Sequence, residues 1–212
     1  MNKIDYQRFI QAYRITNNDS ANKKDRKIAF AIWKELAEKG YVRSSFYLGV
    51  CYDNGFGTKQ NRKKAFENFL EAASNGHAEA MYNLFIMYRD GEGVDKDLKQ
   101  ALKWLEAAVE RGDGAAIGDL GYCYYQGVLV SKDLNQAVKY YRLAAKHGDL
   151  KSQCNLALCY RNGDGVKQSK RWSKYWLEKA AKGGHVEALE LLRKKGGSYS
   201  FYQCQDVKQC VV

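Results

Sequence analysis

The sequence predicts an all-α chain, an α-α superhelix in which helix hairpins of 36 residues stack into a solenoid. Three observations carry that prediction. Glycines recur with this period at Gly76, Gly112, Gly148 and Gly184, a leucine–tyrosine pair recurs between them, and a helix-capping residue recurs at one register. The chain has 19 glycines and no proline, so helix ends fall to glycine and capping side chains. Four repeats are clear, over 41–76, 77–112, 113–148 and 149–184, and a weaker one begins near Asp5 and closes at Gly40.

The first helix of each block carries Leu48-Gly49-Tyr52, Leu84-Phe85-Tyr88, Leu120-Gly121-Tyr124 or Leu156-Ala157-Tyr160. The i to i+4 spacing sets leucine and tyrosine on one face, and the small residue between them lets a neighbouring helix come close. Phe85 breaks the small-residue rule, so looser packing is expected there. Each first helix stops at Gly55-Phe56-Gly57, Gly91-Glu92-Gly93, Gly127-Val128-Leu129 or Gly163-Asp164-Gly165, with Leu129 in place of the second glycine. The second helix then starts after Asn61, Asp97, Asp133 or Ser169, with Asp25 in the weak block, all residue types that accept from unpaired helix amides.

Along the second helix a small residue, Ala29, Ala65, Ala101, Ala137 or Ser173, precedes a bulky pair. The pairs are Ile32-Trp33, Asn68-Phe69, Trp104-Leu105, Tyr140-Tyr141 and Trp176-Leu177. Small meets large across each hairpin, and a single hairpin buries too little apolar surface to offset its ordering entropy, so the repeats must stack. The expected organisation is a degenerate cap over 1–40, four repeats over 41–184, a C-terminal capping helix over 185–196 and an irregular tail over 197–212.

This pattern, best seen in HAEAMYNLFIMYRDGEGVDKDLKQALKWLEAAVERG at 77–112, resembles the Sel-one-like repeat (SLR) family, relatives of the tetratricopeptide repeats. The resemblance covers 41–196 well and 5–40 only in its second helix. It implies a right-handed superhelix acting as an adaptor, scaffold or chaperone-like binder, and in bacteria sometimes as an immunity protein against a secreted toxin. One cysteine-rich branch of the family pairs cysteines within each repeat, and some of its members are linked to penicillin binding. Here the second helices have no cysteine, which speaks against that hydrolase reading.

The charge of +11 is uneven: +4 over 1–40 and +5 over 149–184, but −2 over 77–112. A nucleic-acid tracker presents a continuous basic stripe, so the distribution argues against nucleic acid; a basic-surface binder of anionic membrane or nucleic acid is the alternative to a protein partner, and both are less expected than a protein. The start MNKIDYQRFI lacks a leader's apolar run, and no segment holds the eighteen apolar residues of a membrane span, so a soluble cytoplasmic chain is expected.

Chemistry is sparse. His77, His147 and His185 sit at block boundaries, too far apart for a metal site, and read as exposed turn residues. Cys51, Cys123 and Cys159 share one repeat position with Met87 and read as core filler. The tetrad Ser20-Ala21-Asn22-Lys23 lacks the companion motifs of a penicillin-recognising enzyme. The tail contains Cys204 and Cys210 and no lipidation box. No catalytic residue, metal or cofactor is expected.

A partner protein or peptide would sit against the first helices, which line the concave side of tetratricopeptide-like stacks. The positions left over from the leucine–tyrosine face are Arg43, Phe46, Tyr47, Val50 and Asp53; Tyr82, Asn83, Ile86 and Arg89; Asp119, Tyr122 and Tyr125; and Asn155, Leu158 and Arg161. Tyrosine and arginine supply anchors and asparagine can satisfy a bound backbone. Phe46, Tyr47, Tyr82, Asn83, Arg89, Asp119, Tyr122, Tyr125, Asn155 and Arg161 are therefore the candidate partner-binding residues. Asn83, Asp119 and Asn155 recur every 36 residues, either as a polar ladder or as bonds between neighbouring helices.

Overall fold

The computed structural model describes residues 1–193, and among them it contains eleven helices and no strand. They are α1 Lys3–Thr16, α2 Lys23–Glu38, α3 Val42–Asn54, α4 Arg62–Ser74, α5 Ala78–Asp90, α6 Leu98–Glu110, α7 Gly114–Gln126, α8 Leu134–Lys146, α9 Leu150–Asn162, α10 Lys170–Lys182 and α11 Val186–Arg193. The pairs α1–α2, α3–α4, α7–α8 and α9–α10 form hairpins, and α2–α3, α4–α5, α8–α9 and α10–α11 pack between them. The chain divides into two compact units, Met1–Ala107 and the part from Ala108 onward. Cys204, Cys210 and the rest of the expected tail lie outside the described residues, as does the end of the expected capping helix, of which α11 is the described part.

Within the hairpins, bulk is traded between two register positions. A methyl group at Gly49 would lie 2.7 Å from the ring of Phe69, and one at Gly121 would lie 2.9 Å from the ring of Tyr141. Where the first helix carries the larger Phe85 or Ala157, the second carries the smaller Leu105 or Leu177 at the matching position. All four of these side chains are buried, Phe85 at 1% exposure. The looser packing expected at Phe85 is therefore not seen.

The turns repeat as atomic detail. In each, a glycine in the left-handed region ends the first helix, Gly163 at φ 85° for example, and the carbonyl four residues back accepts from its amide and the next one, as Cys159 does from Gly163 and Asp164. Further on, the amide of the capping residue donates to the tyrosine carbonyl, Asn61 to Tyr52, Asp97 to Tyr88, Asp133 to Tyr124 and Ser169 to Tyr160. At the second glycine, Gly57, a side chain would strike the backbone carbonyl of Arg26, so the turn runs against the start of α2. Leu129 takes the corresponding left-handed backbone at φ 63°.

Asn61, Asp97, Asp133 and Ser169 cap as expected, each accepting from an amide of the first turn. Asp25 does not. Asn22 accepts from Lys24 and Asp25, so α2 begins one turn earlier and Asp25 lies inside it. The longer helix is held by its tertiary setting: Arg26 donates to the Ala21 carbonyl, and the buried Trp33 donates through Nε1 to Thr16 Oγ1 at 2.9 Å. Three caps on first helices add to the expected set, Asn2 for α1, Asp113 for α7 and Asp149 for α9.

Candidate functional site

In the first unit, several expected contact residues serve the fold. Phe46 is 8% exposed, stacked on His77 at 4.4 Å and packed toward Phe69, so it is a core residue and not a groove residue. Helix α3 is covered by both α2 and α4, so burial reaches beyond the leucine–tyrosine face. Tyr47 is half-buried in an aromatic cluster, 4.6 Å from Trp33 and 5.7 Å from Tyr13, and burial raises its hydroxyl pKa. Arg89 makes a paired contact with the carboxylate of Asp90, at 2.8 and 2.7 Å, and lies over the ring of Phe85. Asn83 donates to the Glu79 carbonyl of its own helix at 2.9 Å, and Tyr82 is half-buried beside Phe85.

The same unit holds a network that the sequence analysis missed. The carboxylate of Asp5, 3% exposed, accepts from Lys39 Nζ at 2.6 Å and from the Tyr41 hydroxyl at 3.0 Å. Lys39 also reaches Glu35, which pairs with Arg8. The hydrogen bond from Lys39 is the main cause holding the Asp5 carboxyl below its ordinary range, and the same bond raises Lys39. These partners lie up to 36 residues apart, and no local motif announces them.

The second unit brings expected residues together. Tyr141 comes from α8, its ring passing the bare backbone of Gly121 on α7, and its hydroxyl is buried without a hydrogen-bond partner. Burial pushes this hydroxyl well above its ordinary pKa. Tyr122 and Tyr125 of α7 pack against the core cluster that contains Tyr141, and they and Asp119 remain partly exposed. From α9, Asn155 is half-buried with its Oδ1 lacking a hydrogen-bond partner, while Leu158 is 3% exposed and belongs to the core. Tyr125 donates to Asp164 Oδ2 at 2.9 Å, which fixes its ring beside the α9 turn. Arg161 is half-buried on the last turn of α9.

Tyr141 differs from its counterparts in the other repeats by its hydroxyl. At its register the other blocks carry Trp33, Phe69, Leu105 and Leu177, none with a hydroxyl. Among the described residues, no group of three or more His, Cys, Asp and Glu could hold a metal ion. Cys51 and Cys159 are buried thiols raised by desolvation to about 12, far from a nucleophile's range. His185, expected as a bare turn residue, accepts through Nδ1 from the Ala188 amide and bonds with Cys154, which raises its pKa.

The repeats seen in the fold are also recognised by a family model. The Sel1 repeat model matches residues 42–77, 78–113, 115–149 and 150–185. The chain belongs to the Sel1 repeat family. A Sel1 repeat protein from Oxalobacter formigenes is 31% identical with a TM-score of 0.82, the match covering 89% of this chain and 76% of that one. A protective antigen from uropathogenic Escherichia coli with an SLR fold is 28% identical with a TM-score of 0.76, the match covering 87% of this chain and 39% of the other, so this Sel1 repeat chain spans well under half of that protein. An immunity protein from Pseudomonas aeruginosa shares the fold at 17% identity and a TM-score of 0.63, with 89% and 69% covered. Comparison with curated proteins gives no match.

Proposed function

We propose that this Sel1 repeat chain is a non-catalytic binding module that holds another protein against the first helices of its second unit, α7 and α9. The observation that carries this reading is the partly exposed row of Asp119, Tyr122 and Tyr125 on α7, the two tyrosines packed on the Tyr141 cluster, beside the half-buried Asn155 on the next first helix, whose Oδ1 lacks a hydrogen-bond partner. Asn155 is half-buried, so its amide can turn outward to meet the backbone of a bound chain. Partly exposed tyrosines supply large contact area at small entropic cost, the composition of interface anchors. The first unit contributes less on this reading, because Phe46 is in its core and Arg89 is engaged by Asp90.

Neutralisation of a secreted toxin is one form of such binding. The buried thiols suit a reducing compartment such as the cytoplasm. The test is capture of a partner from the source cell by a photo-crosslinking residue at position 122. A crosslinked protein recovered from this position, and not from position 67 on the exposed side of α4, supports the reading. Equal recovery from both positions, or from neither, overturns it.

A further inference from the structure

The second helices of the second unit carry a surface that protein binding on α7 and α9 leaves unused. Together α8 and α10 hold eight lysines and arginines against one glutamate, and all eight cations are exposed. In α2 the balance is five to three and in α4 three to two, so the excess is not a general property of second helices. Within the α10 charges, Trp172 and Tyr175 are each 47% exposed. Their rings lie 5.6 Å apart and nearly perpendicular. Tyr160 lies over Trp172 at 6.2 Å, and Arg142 of α8 donates to the Tyr160 hydroxyl at 3.2 Å, which joins the charges of α8 and the rings of α10 into one surface.

Single exposed hydrophobic residues need no explanation, but two large aromatic rings inside a strongly basic face do. We infer that this face docks on an anionic lipid bilayer. Lys170, Arg171 and Lys174 meet acidic headgroups, and Trp172 and Tyr175 enter the interfacial layer, where rings with one polar end are favoured. Charge complementarity selects the occupant, since each cation near an anionic leaflet strengthens attachment roughly fivefold. A single-stranded nucleic acid would need free, parallel ring faces for its bases. Tyr160 covers one face of Trp172 and Tyr175 meets it edge-on, so the pair offers insertable area in place of stacking platforms.

The experiment is co-sedimentation of the full chain with vesicles of phosphatidylcholine, alone or mixed with phosphatidylserine, at low and moderate salt. The expected result is attachment to the phosphatidylserine vesicles only, weakening as salt rises, with a blue shift of tryptophan emission that Trp172→Phe removes. Replacing Lys170, Arg171 and Lys174 together by glutamine should weaken attachment about a hundredfold. Replacing Lys23, Lys24 and Lys27 on α2 by glutamine should leave it intact, which separates this face from net charge. No attachment to phosphatidylserine vesicles, equal loss in the α2 variant, or full attachment of the α10 variant overturns the proposal. So does tighter binding of a single-stranded oligonucleotide than of vesicles, lost with the same α10 substitutions.

Discussion

Gly49 faces Phe69 so closely that a single added methyl would sit 2.7 Å from two atoms of the ring. Phe69 is buried and cannot swing aside. Gly49→Ala should therefore lower stability by about 1 to 3 kcal/mol, the usual range for overpacking a tight core. Gly114, where an added methyl meets nothing within 4 Å, should accept alanine with no loss. Combining Gly49→Ala with Phe69→Leu should cost less than the sum of the two changes, because it reproduces the pairing of Ala157 with Leu177. Urea unfolding midpoints of the four variants check this.

The start of α2 provides a second test. Asn22→Ala should cost about 1 kcal/mol, since it removes the acceptor of two first-turn amides, and Asp133→Ala should cost a similar amount at α8. Asp25→Ala, which removes no cap, should cost much less. The same unfolding experiment decides between Asn22 and Asp25.

The positions of turns and most caps were legible in the sequence because they depend on local chemistry at fixed spacing, a left-handed glycine followed by an oxygen-bearing side chain. Asn22 was missed because Asp25 fits the repeat register, while the extra turn of α2 is set by the Asn22 cap and by the Arg26 bond to the Ala21 carbonyl, both outside that register. Phe46 and Leu158 were misplaced for another reason. A first helix in a stack is covered on more than one side, while the leucine–tyrosine pattern marks only one of those faces. Asp119, Tyr122 and Tyr125 are partly exposed, as positions that the packing face leaves over should be. The Tyr141 hydroxyl was not singled out, since a buried second-helix position reads as core whether or not it carries a hydroxyl.

Acid should act on the first unit through Asp5. Its folded pKa is depressed, chiefly by the Lys39 hydrogen bond, so its contribution is present above the ordinary carboxylate value of 3.8 and is lost as pH falls through the lower folded value. Glu35 is depressed by the same lysine and acts in the same direction. Asp5→Asn should reduce stability at neutral pH, and the gap between this variant and the parent should narrow as the solution is acidified through that window. Urea midpoints across an acid series provide the measurement, and a constant gap would show that Asp5 contributes no pH dependence.

Burial should protect the thiols. With Cys51 and Cys159 raised to about 12, a thiolate-directed alkylating reagent should leave both unmodified in the folded chain and modify both in urea. Peptide-level mass spectrometry reads each site separately, and a reductant should leave the melting temperature unchanged. A large fall with reductant would reveal a structural disulfide.

The most direct test of the central claim, that a protein partner sits on α7 and α9, is calorimetric affinity of the captured partner for Tyr122→Ala and Asn155→Ala, with thermal unfolding measured on the same samples. Truncating an interface anchor costs about 2 kcal/mol or more, close to thirtyfold in affinity. The account predicts a loss of this size in Tyr122→Ala and a clear loss in Asn155→Ala, with melting temperatures near that of the parent chain. Full-strength binding by both variants, or a loss that appears only where the variant has unfolded, would contradict it.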